Sequence, residues 1–348
     1  MADTTVNVAQ ITSALNQVYE ALVPVRNDAT PFLSSIAKAK NTTGKNVAWG
    51  YKTGTDVGAY IAEGDAQANF NTNTKLPATL ATSEYSEGLK LTQKAINASY
   101  NSSGPQGLVA LVTEEFADGA DRLTKKLNPE IIRGSTSGGI VGLYVSTTGA
   151  LAASGTYAGL DRGTYPQLAA TVHNNPLAAG TLRVLELSIL RKLRTAVKDA
   201  SGRKAKSIWC TPQVADKFVE LFDTRRRFTG EGAMDSGTAP NGPRTYFDGI
   251  PVYEDSDWND NQAVFCDDPE MSVVYQPDVS IDAVKPVGYI PLVGGPDVGG
   301  KSGGTGLMAR VNKLAMEGNL HRWQLICELQ MRVKRGNSFG VLNDILTD

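Results

Sequence analysis

The longest regular alternation of apolar and polar residues lies between Arg322 and Lys334. Every odd position in this stretch is apolar, and every even position is polar except Ile326. The apolar positions are Trp323, Leu325, Cys327, Leu329, Met331 and Val333. Because successive side chains of a strand point to opposite faces, this period of two predicts a long strand with one buried face. We expect it to pair with other strands over a long helix.

A helical period marks residues 105–133. Apolar side chains recur there at spacings of three and four: Leu108, Leu111, Val112, Phe116, Ala120, Leu123 and Leu127. This stripe is typical of a surface helix lying on a core. Pro105 suits the first turn, Pro129 is expected to break or kink the end, and Gly134 closes the helix.

Residues 31–100 are predicted to form a long extended excursion. Val47 to Tyr51 alternate as a strand should, Asp65 to Thr74 form a polar tip, and a return strand is expected around Tyr85–Thr92. An isolated two-stranded hairpin is marginal in water. Support from outside its own domain and packing on its own subunit are both consistent with the pattern. Residues 1–30 have only a weak helical period, typical of an arm that lies on another surface.

The middle of the chain mixes helices with short strands, which predicts one compact α+β domain over roughly 140–290. One helix is expected from a Thr181 cap to Ser201, and a second is expected to open with Thr211 as cap and Pro212 in the first turn. Short strands are predicted at Ser207–Cys210, Tyr246–Tyr253, Ala263–Cys266 and Ser272–Tyr275.

Composition narrows the class of protein. The net charge is −2, which argues against a dedicated nucleic-acid binder, because such a protein has a strongly basic domain. A protein that only encloses nucleic acid does not need a basic domain, so the charge does not exclude it. Cys210, Cys266 and Cys327 lie far apart, which favours buried reduced thiols over a disulfide framework or a zinc site. The sequence has neither the pattern of a signal peptide nor an apolar run long enough to span a bilayer, so we expect it to fold in the cytosol.

Two stretches resemble ligand-binding motifs. Gly295–Ser302 matches the phosphate-loop pattern, but the following Gly303-Gly304-Thr305-Gly306 opposes the helix that this motif requires. Asp255–Asn259 has the opening spacing of a calcium loop, but Asp260 and Cys266 stand where Gly and Glu are needed. A flexible connecting loop and an acidic turn between strands are the favoured interpretations.

The basic run Arg225, Arg226 and Arg227 is open to two interpretations. It could contact phosphate, or it could be a solvated loop or one that pairs with another subunit. His173 and His321 have no partner at ligand spacing. A serine nucleophile elbow, a paired-carboxylate motif and a Cys/His signature are also missing from recognisable contexts. The sequence therefore predicts no enzyme, no cofactor and no metal site.

The order of the features resembles the Hong Kong 97-type major capsid protein of tailed phages. Asp28–Ile36 resembles the entry to the extended loop of that family, and Tyr60–Gly64 resembles a step within the loop. Arg122–Gly134 looks like the end of the family's spine helix, and Thr245–Tyr253 looks like a strand of its axial domain. The resemblance covers nearly the whole chain, although each motif alone is short.

The resemblance implies an α+β capsid fold with four parts: an N-terminal arm (1–36), an extended β-hairpin loop (37–98), a peripheral domain with the spine helix and long strands (99–138 and 290–348) and an axial domain (139–289). It also implies a structural subunit that forms hexamers and pentamers of an icosahedral head around double-stranded DNA. Expected partners are copies of the chain, a separate scaffolding protein, a portal and cement proteins. Non-specific contact with the packaged double-stranded DNA is also expected, and contact with a membrane is not. Assembly is expected in the bacterial cytoplasm, with a final location in the virion.

Two further interpretations remain open for the function. One is the shell of a bacterial compartment that encloses cargo, and the other is nucleotide binding through Gly295–Ser302. The residues expected at contacts between subunits come from the hairpin and the basic run: Trp49, Tyr60, Glu63, Arg225, Arg226 and Arg227.

Overall fold

The computed structural model describes most of the chain beyond residue 29. The described residues are 30–52, 63, 75–134, 139–144, 149–176, 180–223, 243–276, 288–293 and 307–347. Most of the predicted arm, the whole polar tip from Asp65 to Thr74 and the Gly295–Ser302 motif lie outside them.

Helices and strands alternate irregularly along the described residues. The helices are α1 (Pro31–Ser35), α2 (Gln93–Arg133), α3 (Leu187–Ser201) and α4 (Pro212–Asp223). The strands of the N-terminal half are β1 (Lys38–Lys40), β2 (Asn46–Lys52), β3 (Lys75–Ala81), β4 (Ser83–Thr92), β5 (Thr156–Tyr157), β6 (Leu160–Asp161) and β7 (Thr171–His173). The remaining strands are β8 (Ser207–Cys210), β9 (Thr245–Phe247), β10 (Ile250–Glu254), β11 (Ala263–Cys266), β12 (Met271–Tyr275), β13 (Gly288–Val293), β14 (Leu307–Lys313), β15 (Leu320–Val333) and β16 (Gly340–Leu342).

The predicted long strand is confirmed as β15, the centre of a six-stranded sheet that we call sheet I. Its order is β1-β12-β15-β14-β13, and β4 also pairs with β15. The pairing with β4 is antiparallel and runs from Leu320 opposite Thr92 to Leu329 opposite Ser83. The apolar positions from Leu325 to Val333 are buried, as the period of two predicts.

The long helix α2 packs on sheet I. Leu123, Leu127 and Ile131 are buried in the same apolar cluster as the inner face of β15. The helix approaches the sheet closely at Gly119, where an added Cβ would lie 2.6 Å from Leu89 Cδ2. Glycine therefore allows α2 to approach the sheet closely, and the prediction that β15 lies over a long helix is confirmed.

The predicted start of α2 at Pro105 is wrong by twelve residues. The helix begins at Gln93, where the Thr92 side chain accepts a hydrogen bond from the Ala95 N–H. It continues through Pro105 and Pro129. A proline inside a helix removes one backbone hydrogen bond and costs about 3 kcal/mol, and the packing of α2 on sheet I offsets this cost.

The C-terminal carbonyls of α2 find partners in the segment that follows. Gly134 N–H bonds to Glu130 O, Leu143 N–H to Ile131 O and Tyr144 N–H to Ile132 O. An added Cβ at Gly142 would lie 2.2 Å from Gly134 N, so only glycine fits this close approach. The last turn thus satisfies acceptors that a helix end otherwise leaves unpaired.

The predicted return strand of the hairpin is also wrong. The strand that pairs with β2 is β3, in the antiparallel register from Asn46 opposite Ala81 to Lys52 opposite Lys75. Ser83–Thr92 is the next strand, β4, and belongs to sheet I. The polar tip was expected to reach Thr74, so β3 falls directly after it. Pro77, which donates no hydrogen bond to the ladder, weakens the strand signal there.

A second six-stranded sheet, sheet II, has the order β7-β16-β11-β8-β10-β9. Its apolar cluster includes the buried stripe of α3, namely Leu187, Leu190, Leu193 and Val197. At Gly340 of β16 an added Cβ would lie 2.6 Å from Val197 Cγ2, so α3 lies directly on this strand. The strands β8 and β11 and the helix α4 occur where the sequence predicts them.

Of the two predicted caps in the middle of the chain, the first is wrong, and the second is correct only in position, because α4 begins at Pro212 directly after Thr211. α3 begins at Leu187 and not at Thr181, because Arg183 is engaged in a parallel bridge with Ile345. The Thr211 hydroxyl before α4 is buried and has no hydrogen-bond partner among the described residues. Four strands also cross the predicted division of the chain: β1 and β4, from the predicted loop, and β12, from the predicted axial domain, belong to sheet I, and β16, from the predicted peripheral domain, belongs to sheet II. The division into domains stays a prediction.

Candidate assembly elements

The base of the hairpin is attached to its own subunit. Val47, Ala78 and Leu80 are buried, and Thr79 N–H bonds to Ala158 O at 3.0 Å. Gln330 of β15 donates its side-chain amide to Ala81 O at 2.7 Å. The base of β2 and β3 therefore packs on its own subunit, which was one of the two alternatives open from the sequence.

Within the described residues β2 and β3 form a two-stranded sheet of their own. An isolated pair of strands is marginal in water, so the contacts at the base are what stabilise it within the subunit. The two strands lead away from these contacts, toward Lys52 and Lys75.

Trp49 lies at the base of the hairpin and is half-buried. Its ring contacts Tyr51 and Tyr157, with centroid distances of 6.2 and 6.1 Å. The Tyr157 hydroxyl accepts the Val333 N–H at 3.0 Å, and burial raises the pKa of Tyr157 far above its ordinary value. This phenol thus stays neutral and connects the aromatic group to sheet I.

The structure does not bring the predicted site residues together. Trp49 lies in the aromatic group just described, and Glu63 is an exposed turn residue. Tyr60, Arg225, Arg226 and Arg227 lie outside the described residues. Their role at contacts between subunits stays a prediction.

A buried polar joint connects α1, α2 and the turn after β10. The Asp255 carboxylate accepts the Phe32 N–H at 3.1 Å and the Asn128 side-chain amide at 3.1 and 3.2 Å. Asn128 in turn accepts the Leu33 N–H at 3.1 Å. Two side chains distant in sequence thus cap the first N–H groups of α1, a task that the Thr30 side chain does not perform.

Asp255 is almost completely buried, and this burial raises the pKa of its carboxyl, although hydrogen bonds from Asn128, Asp257 and Phe32 act in the opposite direction. Arg133 strengthens the same joint by donating to the backbone oxygens of Asp257 and Trp258, both at 2.7 Å. The stretch that resembles a calcium loop is an acidic turn between β10 and β11, as expected, and two of its carboxylates bind Asn128.

The three cysteines are the remaining candidates for chemistry, and their environment fits a structural role. Cys210, Cys266 and Cys327 are free and buried, as predicted, and burial raises the pKa of each thiol. In the part of the chain that the structure describes, no group of His, Cys, Asp and Glu side chains could hold a metal ion. No helix in these ranges is long and apolar enough to cross a membrane.

Sequence reasoning missed the joint at Asp255. Asn128 and Asp255 are far apart along the chain, and each looks like an ordinary polar residue of a helix or a turn. A signal was nevertheless available: Asn128 follows the apolar Leu127 and precedes the apolar Ile132 by four residues, one helical turn, so it lies beside the side of α2 that should be buried. A polar residue at such a position requires a partner.

The fold is that of known shell subunits. No protein-family model matches the chain, and no curated protein matches it either. Among solved structures, it is similar to the capsid subunit of cyanophage A-1(L), with a TM-score of 0.72 and 22% identity over 93% of this chain and 95% of that one. The capsid of a native GTA particle gives a TM-score of 0.60 and 15% identity, with 94% of each chain covered.

A third similar structure is an encapsulin. The SrpI encapsulin of Synechococcus elongatus PCC 7942 gives a TM-score of 0.56 and 12% identity, over 96% of this chain and 95% of that one. The prediction that the chain has the fold of a phage capsid subunit is therefore confirmed. Assignment of the arm, extended loop, peripheral domain and axial domain stays a prediction.

Proposed function

We propose that the chain is the structural subunit of a tailed-phage head. Copies of it form hexamers and pentamers of an icosahedral shell around double-stranded DNA, and the subunit performs no catalysis. The observation that carries this proposal is the similarity to the cyanophage capsid subunit along nearly the whole of both chains. A shell subunit repeats many weak contacts by symmetry.

The hairpin is the element that we propose to reach a neighbouring subunit. Its base is buried against Tyr157, Ala158 and β15, and its strands lead away from these contacts. Trp49, Tyr60 and Glu63 of the hairpin, with Arg225, Arg226 and Arg227, are the proposed contact residues. The base fixes the direction of the hairpin, and the neighbour supports the rest of it.

Electron microscopy of the recombinant chain, with and without a candidate scaffolding protein, tests the shell directly. We expect closed particles of uniform size with capsomers of six and five subunits. A separate scaffolding protein, a portal and cement proteins complete the assembly that we propose for the bacterial cytoplasm. A chain that stays monomeric under all these conditions contradicts the proposal.

Deletion of Asp56–Asn73 tests the hairpin. It leaves Thr53-Gly54-Thr55 and Thr74 between Lys52 and Lys75, an ordinary length for a hairpin loop, so the subunit should still fold. We expect unchanged circular dichroism and thermal unfolding, together with a loss of stable shells. Normal shells from this variant would refute the contact between subunits.

A second candidate function is a compartment shell that encloses protein cargo. The similarity to the SrpI encapsulin favours it, at a lower TM-score than the cyanophage capsid. The contents of purified particles discriminate the two functions: nuclease-protected DNA supports the phage head, and protein cargo without DNA supports the compartment.

Nucleotide binding through Gly295–Ser302 is the remaining alternative and belongs to another class. Titration with ATP before and after Lys301→Ala decides it. Binding that depends on Lys301 would show that this glycine-rich segment is more than a connecting loop.

A further inference from the structure

The outward face of α3 is cationic in a chain whose net charge is −2. Arg191, Lys192 and Lys198 are exposed on this helix, and Lys204 is exposed just after its left-handed C-cap at Gly202. Arg191 and Lys198 are two turns apart on one side of the helix, which is about 10 Å along the axis. We call these four residues the α3 basic face.

None of the four side chains forms an ion pair with any described residue. The neighbouring cations are engaged: Arg194 pairs with Asp248, and Arg203 pairs with Asp267 and Glu270. The only carboxylate between Arg191 and Lys206 is Asp199. The α3 basic face therefore has unneutralised charge that an anionic partner can take up.

Stability of the helix explains only one of these positions. The helix dipole favours cations in the last turn, which covers Lys198. Arg191 and Lys192 lie in the first half of α3, where the dipole gives cations no advantage. The apolar side chains of α3 are already turned inward onto sheet II.

The composition of the face indicates the kind of partner. Interfaces between proteins have a core of apolar and aromatic side chains, whereas interfaces with nucleic acids are polar and positively charged. In the described part of the chain, the large apolar side chains that are exposed lie outside α3. Long flexible cations spaced along a helix fit a row of phosphates.

We propose that the α3 basic face contacts the phosphate backbone of double-stranded DNA without reading its sequence. This inference rests on the proposed function and assigns to named residues the contact with the enclosed DNA. The near-zero net charge of the chain does not oppose it, because phosphate contacts depend on local charge.

The test uses the full chain with Arg191→Gln, Lys192→Gln and Lys198→Gln combined. The matched control combines Lys94→Gln, Lys313→Gln and Lys334→Gln. These control residues are also exposed and unpaired among the described residues, so both variants lose the same charge. Binding to a labelled duplex of random sequence is measured by fluorescence anisotropy over a range of salt concentrations, and shells are examined by electron microscopy.

We expect the α3 variant to bind DNA at least tenfold more weakly at about 50 mM salt. The slope of log affinity against log salt should decrease by about three, one for each lost phosphate contact. The control should keep both the affinity and the slope, and both variants should form shells.

Three results would overturn the inference. The first is equal slopes for the α3 variant and the control, and the second is a wild-type chain that binds no duplex at low salt. The third is an α3 variant that binds DNA normally but forms no shells. That would assign the face to an acidic surface of another copy, such as the exposed Glu114, Asp118 and Asp121 of α2. A wild-type chain that binds DNA through α3 but never forms shells would instead refute the proposed function.

Discussion

The helices α2 and α3 both pack on a sheet through an apolar stripe, but the contacts at their first residues differ. Each turns an apolar stripe onto a sheet, and each meets its sheet closely at a glycine, Gly119 for α2 and Gly340 for α3. The ends differ. Thr92 caps the start of α2, whereas the Glu186 side chain makes no capping bond to α3 in the described structure.

The difference between the contacts of the two helices follows from their lengths. With 41 residues, α2 is about 60 Å long and carries Asn128, which joins it to α1 and to the turn after β10. With 15 residues, α3 lies on sheet II and depends mainly on its apolar stripe. A helix that connects remote parts of a subunit needs directional polar contacts, because an apolar stripe alone does not fix its position along the axis.

The largest expected effect tests what the two helices share. Leu127→Ala in α2 and Leu193→Ala in α3 each empty a fully buried position, so each should cost about 2–5 kcal/mol of unfolding free energy, measured by urea denaturation. Leu182→Ala, at a side chain that is 40% exposed, is the control and should cost less than about 0.5 kcal/mol. A small cost at Leu127 with a full cost at Leu193 would show that polar contacts hold α2 in place.

The second prediction concerns the joint that only α2 possesses. Asp255→Asn places N–H groups where Phe32, Asn128 and Asp257 already donate, and should cost about 1–3 kcal/mol in mild acid. Asp260→Asn, in the same turn but exposed, is the control and should be nearly neutral.

The pH dependence of this cost has a defined sign. Burial raises the pKa of Asp255 above its ordinary value of 3.8, so the folded protein holds this proton more strongly than the unfolded chain. The contribution of the carboxyl to stability is therefore complete below pH 3.8 and is lost as the pH rises through the folded pKa. The stability difference between wild type and Asp255→Asn should shrink from acid toward neutral pH, and a difference that grows would contradict the raised pKa.

The smallest prediction compares the two helix starts. Thr92→Ala removes the acceptor for the Ala95 N–H and should cost about 1 kcal/mol, and Thr92→Ser should restore most of it. Glu186→Ala removes no cap and should change the unfolding free energy by less than about 0.5 kcal/mol. Equal costs at Thr92 and Glu186 would remove the distinction between the two ends.

Local patterns were sufficient to predict much of the fold. The alternation from Trp323 to Val333 gives β15, and the apolar spacing from Leu182 to Val197 gives α3, although not its first residue. Short strands such as Ala263–Cys266 are also recognisable, because their apolar runs are bounded by polar turns.

The errors occur where a distant contact overrides the local signal. Pro105 suggests a helix start, but α2 packs on sheet I and begins twelve residues earlier, at Gln93. The strand Gly340–Leu342 is too short to reveal that it lies between β7 and β11. The joint of Asn128 with Asp255 and the charge pattern of α3 become visible only when the sheets show which faces are covered.

The order of strands has a consequence for how the subunit is made on the ribosome. The central strand of sheet I, β15, and an inner strand of sheet II, β16, both come later in the chain than all the strands with which they pair. Sheet I cannot close until synthesis has passed Val333, and sheet II cannot close until synthesis has passed Leu342. Both sheets of a nascent chain therefore remain incomplete until the end of synthesis is near. Their folding then requires pairing between strands that are far apart in sequence, and such pairing is slow. A truncated chain that lacks β15 or β16 therefore lacks a strand that joins other strands of its sheet.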